Sequence, residues 1–90
     1  MAEKRDKLTI IHDILKSIAD RKGKIKPTHL LYKSNLSYQR MQSYLDDLKQ
    51  KQLVNEEQEK SGKMYVLTEK GYQFLAEYGR IKEFTESFGL

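Results

Sequence analysis

Ser34-Asn35-Leu36-Ser37-Tyr38-Gln39-Arg40-Met41-Gln42-Ser43-Tyr44-Leu45-Asp46-Asp47-Leu48-Lys49-Gln50 begins as a polar turn and continues as a helix. Ser37 is a good N-cap, because its hydroxyl can accept from the unpaired amides of a first helical turn. Met41, Tyr44, Leu45 and Leu48 then mark one face of a helix that runs to about Lys51. With Met41, Leu45 and Leu48 toward the core, a step of about 100° per residue puts Gln39, Ser43, Asp46 and Gln50 nearly opposite, flanked by Arg40 and Gln42. Lys and Glu hold an exposed helix together at least as well as Gln and better than Ser, so this face calls for an explanation. Gln pairs bidentately with adenine, Arg with guanine and Ser with either partner type, each good bidentate pair giving about 1–3 kcal/mol of discrimination. From this face alone, base reading and simple solvation are equally good accounts. Asp46 sets a limit: a carboxylate repels phosphates, so docking belongs to the N-terminal half of the helix.

Outward from this stretch, Pro27 presets the first turn of a short helix of about two turns through Tyr32, and Lys33 to Leu36 read as the turn between the two helices. Upstream, Leu8, Ile11, Ile14, Leu15 and Ile18 recur at helical spacing from about Lys7 to Ala19. Gly23 breaks that helix, and Ile25 stands among lysines as a short strand. Downstream, Leu53–Gln58 and Lys63–Leu67 flank Glu59-Lys60-Ser61-Gly62, the pattern of a β-hairpin with a glycine at its tip. Thr68 caps a last helix carrying Phe74, Leu75, Tyr78, Ile81, Phe84 and Phe88 at steps of three and four. The order α, short β, α, α, β, β, α is that of a winged helix-turn-helix: helix 3 reads the DNA major groove, helices 1 and 2 brace it, and the hairpin is the wing. The fold class expected is α+β, mainly α, with residues 1–72 as the DNA-binding part and 73–90 as a dimerisation helix of the same globular unit.

Ninety residues allow one domain, small enough that help from a second copy is unsurprising. With no cysteine, disulfide scaffolds, thiolate metal sites and thiol nucleophiles are excluded. No apolar run has the length of a signal peptide or a membrane span, so a cytoplasmic, nucleoid-associated protein is expected. The net charge of +4 hides an asymmetry: residues 1–40 hold ten basic and four acidic side chains, residues 41–90 seven and nine. A basic end suits a polyanionic partner, and it also serves solubility.

Catalysis finds no constellation. His12 and His29 have no second imidazole at ligand spacing, and both read as surface or half-buried histidines rather than metal ligands. The adjacent pairs Asp46-Asp47 and Glu56-Glu57 point apart on a helix and a strand, so neither can flank one bond. No glycine cluster cradles a phosphate. No cofactor, metal or small-molecule effector is evident. Backbone contacts to DNA fall to Lys24 and Lys26 before helix 2, Lys33 in the turn, and Lys60 and Lys63 at the wing. Glu56, Glu57 and Glu59 dilute the wing's charge. Tyr32 and Tyr38 have hydroxyls suited to phosphate, with Tyr38 expected to be half packed against the core. On the last helix, Phe74, Tyr78, Ile81 and Phe88, with Phe84 beside them, approximate a short two-heptad seam and suggest a two-fold dimer.

Leu67-Thr68-Glu69-Lys70-Gly71, closing the hairpin, is similar to what many prokaryotic winged-helix regulators show. The opening Leu8-Thr9-Ile10-Ile11-His12-Asp13-Ile14-Leu15, the turn Tyr32-Lys33-Ser34-Asn35-Leu36-Ser37-Tyr38 and the end Phe84-Thr85-Glu86-Ser87-Phe88-Gly89-Leu90 resemble the small archaeal winged-helix proteins of the Sulfolobus 10a type. The resemblance covers almost the whole chain. It implies a homodimer through an antiparallel coiled coil of the last helix, binding double-stranded DNA as a chromatin-associated protein or transcriptional regulator. It assigns DNA contact to Ser34, Ser37, Gln39 and Arg40, and dimerisation to Phe74, Tyr78, Ile81 and Phe88. The alternative is a winged-helix module that docks on other proteins, since fold alone does not fix function.

Overall fold

Each of the longer helices starts where the sequence offers a cap. A computed structural model describes residues 5–90. Helix α1 (Lys7–Ala19) is capped by Asp6, whose side chain accepts from the Thr9 amide, a bond that holds the Asp6 carboxyl below its ordinary value. Ser37 accepts from the Arg40 amide to start α3 (Tyr38–Gln50), and Thr68 from the Gly71 amide to start α4 (Glu69–Ser87). Between α1 and α3, Pro27 opens α2 (Pro27–Ser34), and Asn35 ends it in the left-handed region at φ 56°. Asn tolerates that conformation better than most residues, and it lets the chain reverse sharply into α3.

Strands β1 (Lys24–Ile25), β2 (Val54–Glu59) and β3 (Gly62–Leu67) form an antiparallel sheet in the order β1-β3-β2. The register Ile25↔Tyr65 and Val54↔Leu67 sets these apolar residues against one another. The rest of β2 is exposed, so β2 and β3 leave the domain as a wing tipped by Lys60 and Ser61. Gly62 follows at φ 117°, a backbone conformation that suits glycine.

All elements but the last helix contribute buried side chains to one core: Ile10, Ile14, Leu15 and Ile18 from α1, Ile25, Leu30, then Met41, Leu45 and Leu48 from α3, and Val54, Tyr65 and Leu67, with Phe74 and Leu75 of α4 packed half-buried against it. Leu8 does not join it and is 53% exposed. The last helix is fastened at its start, where Thr68 Oγ1 donates to the Gln52 carbonyl at 2.7 Å. Gly71 is buried there, and a Cβ on it would meet the Leu53 carbonyl oxygen at 2.5 Å and the Leu67 side chain. Only glycine allows this approach of helix to loop.

Candidate nucleic-acid interface

The outer face of α3 divides into exposed and engaged residues. Ser37, Gln39, Arg40 and Ser43 are exposed, whereas Met41, Leu45 and Leu48 are buried. Gln42 turns inward: its amide donates to the hydroxyl of the fully buried Tyr65 at 3.2 Å, so it supports the sheet rather than standing with the exposed set. Arg40 and Ser43 line a cleft of about 430 Å³ with Lys7, Tyr44 and Asp47. Lys7, on α1, is a cation that no local pattern associates with the helix-turn-helix.

Two expectations are corrected around the turn. Ser34 is 1% exposed, and its hydroxyl lies 3.3 Å from the Leu31 carbonyl, so its side chain offers no surface to a ligand. The reason is helical: α2 runs through Ser34, which falls one turn after Leu30 on the buried face. Tyr38, expected half packed, is 62% exposed, and Tyr32 is 85% exposed. As the first residue of α3, Tyr38 lies beyond the part of the apolar stripe that the domain covers.

Charge pairing separates the lysines. Lys24 lies 2.6 Å from Glu59 and 3.5 Å from Glu57, and the bond to Glu59 raises its pKa. Glu56 is shared between Lys49 at 2.9 Å and Lys63 at 3.7 Å; the Lys49 bond holds its carboxyl below the ordinary range. The wing's acids are thereby matched with cations of α3 and the sheet, so Lys24 and Lys63 are engaged within the domain. Among the described residues, Lys26, Lys33, Arg40 and Lys60 have no carboxylate partner within the 4.0 Å of an ion pair, and all four are exposed.

The turn itself is braced by a residue that precedes α1. Arg5 donates from Nη1 to Asp13 at 2.8 Å and from Nη2 to the Ser34 carbonyl at 2.9 Å. The guanidinium fork joins α1 to one of the carbonyls that the end of α2 leaves without a helical partner. Neither contact follows a local spacing rule, and sequence inspection passes over Arg5.

Along α4 the aromatic stripe has two zones. Phe74 is half-buried against the core, and Tyr78 stacks on His12 of α1 with ring centroids 4.1 Å apart. Ile81, Phe84 and Phe88 are about two-thirds exposed. Leu8, Phe74, Tyr78, Ile81 and Leu90 help line an apolar groove of about 430 Å³ between the start of α1 and the end of α4. Among the described residues no group of His, Asp and Glu is placed to hold a metal, and no helix is long and apolar enough to cross a membrane.

A three-helix core with a helix-turn-helix, a β-hairpin wing directly after the second of its helices, and a further helix behind it define a winged-helix protein. The chain belongs to the winged helix-turn-helix family, whose profile matches residues 4–86, a family of binding proteins rather than enzymes. Among solved structures it is similar to Sso10a-2, a DNA-binding protein from Sulfolobus solfataricus, at 27% identity and a TM-score of 0.78 over 93% of this chain and 85% of that one. This whole-chain match bears out the resemblance to the 10a type. The fold also matches F93 from STIV, a winged-helix DNA-binding protein, at 21% identity and a TM-score of 0.72 over 89% of this chain and 92% of that one. BpsR from Bordetella bronchiseptica, whose DNA binding is regulated by 6-hydroxynicotinic acid, shares the fold at 15% identity and a TM-score of 0.73, covering 87% of this chain and 61% of that one. No curated protein sequence matches the chain.

Proposed function

We propose that this protein binds double-stranded DNA as a homodimer, with the first half of α3 in the major groove. The observation that carries this reading is the exposed set Gln39, Arg40 and Ser43, whose side chains have no hydrogen-bond or ion-pair partner among the described residues, beside the exposed cap Ser37, on a helix where Gln42, Asp47 and Lys49 are engaged within the domain. Lys26, Lys33 and Lys60 complete it as phosphate contacts, supplying affinity without sequence preference. Lys24 and Lys63 contribute less, because reaching a phosphate means leaving Glu59 and Glu56. Ser34 contributes through its backbone position alone.

The dimer is supported by the exposed half of α4. Ile81, Phe84 and Phe88, with the groove at Leu8 and Leu90, form an apolar surface that a second α4 running antiparallel covers. Residues 1–72 then contact DNA, and residues 73–90 hold the two copies so that paired recognition helices meet adjacent half-sites. The similarity to a Sulfolobus DNA-binding protein supports the same reading, with a role in transcription regulation or in coating the chromosome of the cytoplasmic nucleoid.

These two roles differ in one observable. A regulator loses several orders of magnitude of affinity on scrambled DNA, whereas a coating protein does not. Titration against a duplex from upstream of its own coding sequence and against random duplex, at two salt concentrations, separates them. Absence of binding to both at low salt removes the proposal.

A further inference from the structure

A second cleft lies beside the turn, and none of the exposed residues of α3 lines it. Arg21 from the loop after α1, Ile25 from β1, and His29, Tyr32 and Lys33 from α2 line a cavity of about 180 Å³. His29, Tyr32 and Lys33 share one face of α2 by their three- and four-residue spacing. Part of the protein's positive charge is matched to carboxylates, as in Lys16 with Asp20, Lys24 with Glu59, Lys51 with Asp47 and Arg80 with Glu77. In this cleft no such partner is present among the described residues, and no acidic side chain lines it. An exposed tyrosine ring thus stands beside two unneutralised cations.

From this arrangement we propose that the cleft binds a small aromatic acid, its ring against Tyr32 and its carboxylate between Arg21 and Lys33. The walls decide between ligands. They are chiefly carbon, so a bare hydrated anion satisfies the cations and leaves the apolar walls wet, while a neutral ring leaves the cations unused. The volume is about six times that of a water molecule in the liquid. That is enough for one planar ring with its acid group. The guanidinium of Arg21 supplies a planar fork for a carboxylate, and His29 adds a further ring nitrogen at the rim.

Position gives this site a consequence, which rests on the DNA-binding reading. Lys33 is the last residue but one of α2, directly before the turn into α3, and it is one of the unpaired cations assigned to phosphate. A bound acid takes Lys33 out of that role, so acid and duplex weaken each other's binding by the same factor.

The test uses the full chain and sodium benzoate, with acetate and phenol as the two halves of the probe, at fixed pH and ionic strength. In amide NMR spectra benzoate produces saturating shifts at Arg21–Ile25 and His29–Lys33, and acetate and phenol bind at least tenfold more weakly. Arg21→Glu and Tyr32→Ser each lower benzoate affinity at least tenfold, with the remaining spectrum that of the folded wild type. Benzoate shifts no stronger than acetate's, or shifts confined to the α1–α4 groove around Tyr78, overturn the site. None of these readouts involves DNA, so they stand or fall apart from the DNA-binding reading. In the protein that does bind duplex, saturating benzoate weakens that binding at least threefold for wild type and leaves Arg21→Glu unmoved; an unchanged wild-type affinity overturns the regulatory role.

Discussion

The imidazole of His12 lies on the ring of Tyr78, with centroids 4.1 Å and planes 19° apart. The stack fixes the middle of α4 to α1 and marks where the helix stops serving its own domain. Tyr78→Ala therefore destabilises the protein by about 1–3 kcal/mol, from lost apolar burial and lost stacking. Phe84→Ala, one and a half turns further on, changes the stability of a dilute monomer by less than about 0.5 kcal/mol. In light scattering at several concentrations Phe84→Glu with Phe88→Glu moves a dimer to monomer. Urea unfolding and scattering together separate the two zones, and a strictly monomeric wild type removes the dimer.

Arg5 holds the turn in place without belonging to it. Arg5→Ala leaves Asp13 and the Ser34 carbonyl without their charged donor, and the expected loss is about 1.5–3 kcal/mol. Arg5→Lys recovers less than half of it, because a single ammonium cannot span both acceptors as the fork does. Thermal unfolding of the two variants measures this, and full recovery by lysine would show that charge alone matters.

Gly71→Ala is among the most damaging single-methyl changes available. The added Cβ runs into the Leu53 carbonyl, which is backbone and cannot rotate away, so α4 must shift. A loss of about 1–3 kcal/mol is expected despite alanine's better helix propensity. Gly79→Ala is the control, since nothing lies within 4 Å of a Cβ there, and it stabilises by about 0.5–1 kcal/mol. Equal stabilities for the two variants would contradict this packing.

Acid weakens the tie between wing and α3. The Lys49 ammonium holds the Glu56 carboxyl below its ordinary value, so the unfolded chain binds that proton more readily than the folded one. The contribution is complete above about pH 4.5, the ordinary glutamate value, and fades as the pH falls through the lowered one. Glu56→Gln lacks this component. Wild type and variant differ at neutral pH and converge toward pH 3 in denaturant titrations; a constant difference would assign Glu56 no electrostatic role.

Local pattern makes much of this fold legible in the sequence. Ser37 and Thr68 as caps, Pro27 at the start of α2, and the Met41–Leu45–Leu48 stripe act within one or two helical turns, and each element falls where these residues place it. Contacts that depend on how elements meet were not legible. The Lys24–Glu59 pair joins residues 35 apart across the sheet, and Arg5 reaches the Ser34 carbonyl 29 residues away. For the site the same division holds. A helical wheel finds Gln39, Arg40 and Ser43, but it misses that Gln42 is drawn inward by a buried tyrosine hydroxyl and that Tyr38 escapes the core. Of the residues from Ser34 to Gln50, those exposed on the first half of α3 and at its cap are Ser37, Tyr38, Gln39, Arg40 and Ser43.

Binding of duplex DNA across a salt series, for wild type and for Arg40→Glu with Lys26→Glu, tests the central claim most directly. Wild type binds, and three phosphate contacts per protomer, doubled in the dimer, predict an affinity loss on the order of a thousandfold between about 50 and about 200 mM salt. The double variant binds at least about tenfold more weakly at the lower salt and shows a shallower salt slope, while keeping the wild-type unfolding temperature within a few degrees. Equal affinity and slope for the two proteins, or no binding by wild type at low salt, would contradict a recognition surface on α3 and α2.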